Sequence, residues 1–138
     1  MKCFYFITIF VLVNSFTVCG QALTGDKTIG AGTGKNYNSI AAAIADLNLK
    51  GVGTGGVTFL VDAGHVEQLS LDEGKIIVSG TIENPIIFKK TGAGNNPILN
   101  PVYIATDDSA TITILGGDYI TFDEIDIIDD ALEGTYNC

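Results

Sequence analysis

Apolar and polar positions along this chain follow two different periods, and the change from one to the other divides it. After Ser39, a residue able to cap a helix, Ile40, Ile44 and Leu47 fall at i, i+4 and i+7, with alanines at 41–43 and 45 and Gly51 just beyond Lys50. This predicts a short helix over 39–50 with a single apolar stripe that must be buried against something. From residue 57 the runs shorten. Segments 57–61, 69–71, 75–78, 86–88, 98–99, 111–115, 119–122 and 125–128 read as strands separated by Gly, Asn, Asp and Pro. Residues 21–38, glycine-rich from 24 onward, read as an extended lead-in with turns, and the run 51–56 reads as a turn between the helix and the first strand. Short strands in this number suit a sandwich, a barrel or a solenoid.

Internal repetition favours the solenoid. Asn84-Pro85-Ile86-Ile87-Phe88 and Asp118-Tyr119-Ile120-Thr121-Phe122 each lead from a polar residue into apolar alternation ending on phenylalanine, and Val57-Thr58-Phe59 is a third copy. The phenylalanines are 29 and then 34 residues apart, a spacing that a coil of three short strands accommodates if its turns vary in length. Their matching positions predict an internal stack of Phe59, Phe88 and Phe122, which leaves Tyr37, Tyr103, Tyr119 and Tyr136 as candidate surface contacts.

The first residues have another character. Lys2 is followed by an apolar run from Phe4 to Val13, broken by Asn14, Ser15 and Thr17, the layout of a signal peptide over 1–20 with cleavage after Gly20 or Ala22. A membrane span needs roughly 20 mostly apolar residues, and this run decays earlier. An uncleaved anchor and lipid attachment at Cys19 are the alternatives, although Phe16-Thr17-Val18 suits lipidation poorly. The expectation is a secreted or cell-surface protein with no membrane insertion after cleavage. Cys3 lies in the signal and Cys19 at its end, so Cys138 is left without a partner for an internal disulfide or a cysteine-based metal site. That isolation suggests a natural chain that continues past Cys138.

Charge narrows the partners. There are 7 basic residues, all lysine, against 16 acids, a formal charge of −9, and nine of the acids follow Lys90. Such a surface repels nucleic acid and anionic membrane, since lysine and arginine supply most non-specific affinity for phosphate. Without arginine no guanidinium fork can clamp a phosphate or carboxylate.

The order of features resembles the start of right-handed parallel β-helix proteins of the pectin lyase-like superfamily. The residues that carry this are Asn36-Tyr37-Asn38-Ser39-Ile40-Ala41-Ala42-Ala43-Ile44, then Val57 to Leu69 with Ala63-Gly64-His65-Val66-Glu67 at the strand exit. In that superfamily an aromatic-x-Ser/Thr-Ile segment opens a capping helix, and a strand ending in Ala-Gly begins the first coil. Residues 84–90 and 116–127 look like successive coils of large secreted bacterial β-helix proteins. The resemblance spans about residues 24–130 and implies a mainly β fold: a capping helix over 39–50 and first coils over 57–138. It departs where His65 replaces a frequent tyrosine and Glu124 a frequent glycine. Catalytic coils of the enzymes lie further along than Cys138, and pectinesterase-like chemistry calls on an arginine that is absent here, so no catalytic residue carries over. The implied role is a non-catalytic scaffold or adhesive portion of a surface protein that contacts polysaccharide or cell-surface glycan. The alternative is the leading part of a polysaccharide-degrading lyase, esterase or hydrolase.

Remaining motifs point to little chemistry. Gly51 to Gly56 satisfies a dinucleotide-loop string but follows a helix and precedes a strand, the reverse of the required order. In Gly30-Ala31-Gly32-Thr33-Gly34-Lys35-Asn36, Ile29 stands where a phosphate loop needs its first glycine and Asn36 where it needs Ser or Thr. His65 is the single histidine, with Glu67 two residues on and so on the same face, but no nucleophile or further zinc ligand accompanies them. The acidic run contains the calcium candidates Asp123, Asp126, Asp129 and Asp130, because hard carboxylate oxygens suit that ion. No organic cofactor is expected.

Overall fold

A computed structural model describes residues 20–102 and 110–128. The segment expected to be a signal peptide, with Cys3 and Cys19, and Tyr103, Asp129, Asp130, Tyr136 and Cys138, lie outside the described residues. Among the described residues the fold is mainly β, with parallel sheets and one short helix, the strands and helix being what the pattern of periods implies.

Strand β1 (Leu23–Ile29) precedes helix α1 (Ile40–Lys50). Then follow β2 (Val52–Asp62), β3 (Val66–Leu69), β4 (Lys75–Ile76), β5 (Ile86–Thr91), β6 (Ile98–Pro101), β7 (Thr113–Ile114), β8 (Ile120–Asp123) and β9 (Asp126–Ile127). They form three parallel sheets, ordered β1-β2-β5-β8, β3-β6-β9 and β4-β7. From β2 onward the chain therefore visits the first, second and third sheets in turn and then returns to the first.

Period-two burial sets the register. Val57, Phe59 and Val61 of β2 point inward and are buried while Thr58, Leu60 and Asp62 do not. Val57 pairs with Ile86 and Phe59 with Phe88, and these pair in turn with Ile120 and Phe122. Like side chains thus lie above one another. The Phe59 and Phe88 rings stack at 4.7 Å and the Phe88 and Phe122 rings at 5.0 Å, the internal stack that the repeat predicts. Coverage thins along each row: Ile76 and Leu99 are fully buried, whereas their register partners Ile114 and Ile127 are exposed.

The helix forms where its local code places it. Ser39 Oγ accepts from the Ala42 N–H at 3.1 Å, and Gly51, at φ 72°, turns the chain back with its N–H on the Leu47 carbonyl. Ile40, Ala43, Ile44 and Leu47 are buried as the stripe requires.

Two expectations need correction. The lead-in contains a full strand, β1, paired with β2. The glycine-rich 51–56 run is largely the start of β2: Val52 pairs with Leu23, and the register shifts between Leu23 and Gly25. Glycine at 55 and 56 is still required, since both have positive φ and a Cβ on Gly56 would lie 2.4 Å from the Pro85 carbonyl oxygen. Neighbouring backbone supplies the hydrogen bonds that local propensity does not. Strand ends also shift, β3 beginning at Val66 rather than residue 69, because pairing with Ile98 extends it.

Helix α1 covers the first strands of the two sheets that lack a counterpart of β1. Its Asn48 side chain donates to the Lys75 carbonyl at 2.7 Å and accepts from the Ile77 N–H at 3.0 Å, acting on the edge of β4 as a strand would. Asn48→Ala is expected to destabilise the chain by about 1–3 kcal/mol through these two orphaned backbone groups. Urea denaturation checks this; an unchanged midpoint would show that water satisfies that edge equally well.

Candidate functional site

Three polar or exposed constellations stand out, each built on the turns between sheets. The first sits at the turn from β2 to β3. Gly64, at φ 73°, reverses the chain, and the His65 N–H closes the turn on the Asp62 carbonyl. Glu67 on β3 then faces the start of α1. One carboxylate oxygen accepts from the Ile40 N–H at 2.6 Å and from His65 Nε2 at 2.9 Å, and the other accepts from the Ala41 N–H at 2.9 Å. Both side chains are nearly buried, at 12% exposure for His65 and 11% for Glu67. Burial works against the Glu67 charge, but the bonds from His65, Ala41 and Ile40 outweigh it and hold this carboxyl below the usual range. With Ser39 on Ala42, the first three amides of α1 are all satisfied. The sequence places His65 and Glu67 on one face, and the structure brings them together. Their joint work is to seat the helix, and the oxygens a substrate would need are occupied.

The second constellation lies at the turns from the first sheet to the second. Lys89 Nζ donates to Asp123 Oδ2 at 2.7 Å, one strand away. Lys90 follows Ile86 and Phe88 on the inward face; its ammonium donates to Asn96 Oδ1 at 2.9 Å and lies 3.3 Å from Glu124. Asn96 in turn donates to Asp126 Oδ1 at 3.0 Å. Asp123 and Asp126, two of the calcium candidates, are thus engaged by protein donors, while Asp129 and Asp130 lie outside the described residues. Among the described residues, no three His, Cys, Asp or Glu side chains gather as ligands. Lys90 was missed by sequence reasoning, although period two from Ile86 already turns it inward.

The third is an exposed corner between the third and first sheets, where residues 116–119 stack on residues 79–84. Ser79 Oγ donates to the Gly116 carbonyl at 2.6 Å, the Gly80 N–H to the Asp118 carbonyl, and the Ile86 N–H to the Tyr119 carbonyl. Tyr119 holds a left-handed backbone at φ 54°, a conformation that costs a non-glycine residue roughly 1–2 kcal/mol. Tyr119 is 55% exposed, and Leu115, four residues before it, and Ile82, in the 79–84 turn on which it stacks, are exposed as well. An exposed ring held on strained backbone, among uncovered apolar residues, is a feature that core packing does not explain. Tyr37, the other described candidate for surface contact, instead packs on Phe59 at 6.0 Å and donates from its hydroxyl to Asp46 Oδ2 at 2.7 Å. Burial, with Asp46 beside it, raises its pKa well above the ordinary tyrosine value.

A shallow cavity of about 260 Å³ lies apart from these, lined by residues 21–24 with Lys27 and Lys50. No described helix is long and apolar enough to cross a membrane. Comparison with known protein families, curated proteins and solved structures returned no match.

Proposed function

We propose that this chain is a secreted or cell-surface, non-catalytic scaffold or adhesive module, built as the first coils of a right-handed parallel β-helix, that binds glycan at the Tyr119 corner. The observation that carries the architecture is the order of pairing: β2, β3 and β4 are followed in register by β5, β6 and β7, and then by β8 and β9. A helix laid over β3 and β4 through Glu67 and Asn48 suits the closed end of such a stack. Kinship with the pectin lyase-like superfamily belongs to the same proposal and rests on the residue pattern at 36–44 and 57–69.

Glycan binding follows from what the corner offers. Sugars present apolar C–H faces ringed by hydroxyls, and an exposed tyrosine meets both with its ring and its phenol oxygen. Backbone turns stacked from two rows hold that ring in place without a mobile loop. A carboxylate-rich surface favours neutral over acidic polysaccharide by simple repulsion.

Retention of the exported full chain on neutral insoluble polysaccharides tests this. Binding should weaken about tenfold, or about 1.4 kcal/mol, in Tyr119→Ala, with thermal stability unchanged, since alanine keeps the Cβ and so the left-handed backbone cost. Equal retention of parent and variant would remove the corner from the proposal. Release of reducing ends or unsaturated products would instead place the chain at the front of a polysaccharide-degrading enzyme.

A further inference from the structure

We infer that the exported chain begins at Gln21 and that this residue is closed to pyroglutamate. The inference rests on the export reading above and chooses between its two cleavage points. Leu23 is buried at the start of β1, pairs with Val52, and donates its N–H to the Gly51 carbonyl at 2.9 Å. Ala22 packs against Gly53, where an added Cβ would come within 3.3 Å of the alanine methyl. Cleavage after Ala22 would strip that contact and set an ammonium group on the buried end of a strand. Cleavage after Gly20 preserves both features, and Gln21 is exposed.

The new α-nitrogen emerges among cations. Gly20 lies against the stem of Lys50, whose Cγ would be 3.2 Å from an added Cβ, and Gln21 lines the 260 Å³ cavity with Lys50 and Lys27. Lys50 is paired with Asp46. Lys27 donates to the Thr24 carbonyl and, alone among the described lysines, has no carboxylate partner. Among the described residues no carboxylate lines this cavity to hold the α-amine as an ammonium, and the neutral amine is the nucleophile.

Ring closure needs nothing else. The α-amine attacks the side-chain amide carbon Cδ, a new N–Cδ bond forms, and the Cδ–Nε2 bond breaks. The departing nitrogen takes the proton released by the amine and leaves as ammonia, so no oxidant or co-reactant takes part. The product is a neutral lactam. It removes charge from the two-lysine cavity and denies an aminopeptidase the free amine it needs to trim residues 21 and 22 towards β1.

The test is mass spectrometry of the N-terminal peptide of the full chain, exported from a secreting host with its own leader. The expected peptide starts at residue 21 and is lighter than the open form by one ammonia, and pyroglutamyl aminopeptidase then removes one residue and exposes Ala22. The Gln21→Ala chain, processed at the same bond, should carry an open amine. An open Gln21 in the parent would overturn ring closure while leaving export standing. A start at Leu23 would overturn the cleavage point, and a chain that retains Met1 would overturn both the inference and the export reading.

Discussion

Phe88→Ala is expected to lower the unfolding free energy by about 3–5 kcal/mol. Phe88 has no exposed surface, and its ring is held between Phe59 at 4.7 Å and Phe122 at 5.0 Å, nearly parallel to both. The neighbouring rings are fixed by main-chain pairing of β2, β5 and β8, so they cannot close on the space that truncation leaves. The cost therefore includes a cavity as well as lost burial. A domain of this size is stable by only some 5–15 kcal/mol, so a single ring accounts for a large share. Phe122→Ala should cost clearly less, because Phe122 is only partly buried. Urea denaturation of both variants decides the matter. Equal losses would mean that the last row is as well packed as the middle one, and a loss below about 1 kcal/mol at Phe88 would contradict the stacked core.

Glu67→Gln is expected to cost about 2–3 kcal/mol at neutral pH, since one side chain holds two helix amides and His65 through charge-assisted bonds. Gln has nearly the same shape but one acceptor oxygen fewer, and its amide nitrogen would face a donor. The effect has a definite pH signature. Because the folded carboxyl titrates below its unfolded value of about 4.3, its contribution is complete above that pH and disappears as pH falls through the lower folded value. The parent should lose stability as pH falls below about 5, and Glu67→Gln should lose less over the same fall. A residual slope is expected from Asp46. Burial opposes its charge too, yet Lys50 and Tyr37 hold it below the usual carboxylate range. Parallel stability curves for parent and variant would show that the Glu67 charge does not hold the helix.

Parts of this molecule were legible residue by residue. The helix from Ser39 to Gly51 was readable because its cap, stripe and stop all lie within one short stretch, and each signal acts through its near neighbours. The phenylalanine stack was readable because a strand turns every second side chain the same way, so repeated positions must coincide once strands pair in register. Gly51 to Gly56 misled for the converse reason. Local preference there is for a turn, and only a neighbouring strand makes extension the better state. Glu124 shows a milder case: it adopts φ 55°, a backbone conformation that favours glycine and that no local signal here announces.

The candidate sites were less legible than the fold. His65 and Glu67 could be placed on one face from their spacing, but Ile40 lies 27 residues from Glu67 and no local pattern announces that bond. Asn48 and Lys75 are likewise 27 apart, and Lys89 and Asp123 are 34 apart. Tyr119 and Tyr37, the two of the four candidate tyrosines among the described residues, had equal standing until burial removed Tyr37 and exposure set Tyr119 apart. By itself the sequence determined the mainly β character, the short helix with both its ends, the inward rows of apolar residues and the absence of arginine chemistry, all of which depend on composition or on neighbours a few residues away. Only the tertiary structure decided which strands pair, that Glu67 and Asn48 fasten the helix over β3 and β4, and that of the described candidates Tyr119 rather than Tyr37 faces solvent. These depend on contacts between segments some thirty residues apart, whose register is set by packing the whole core at once rather than by any local preference.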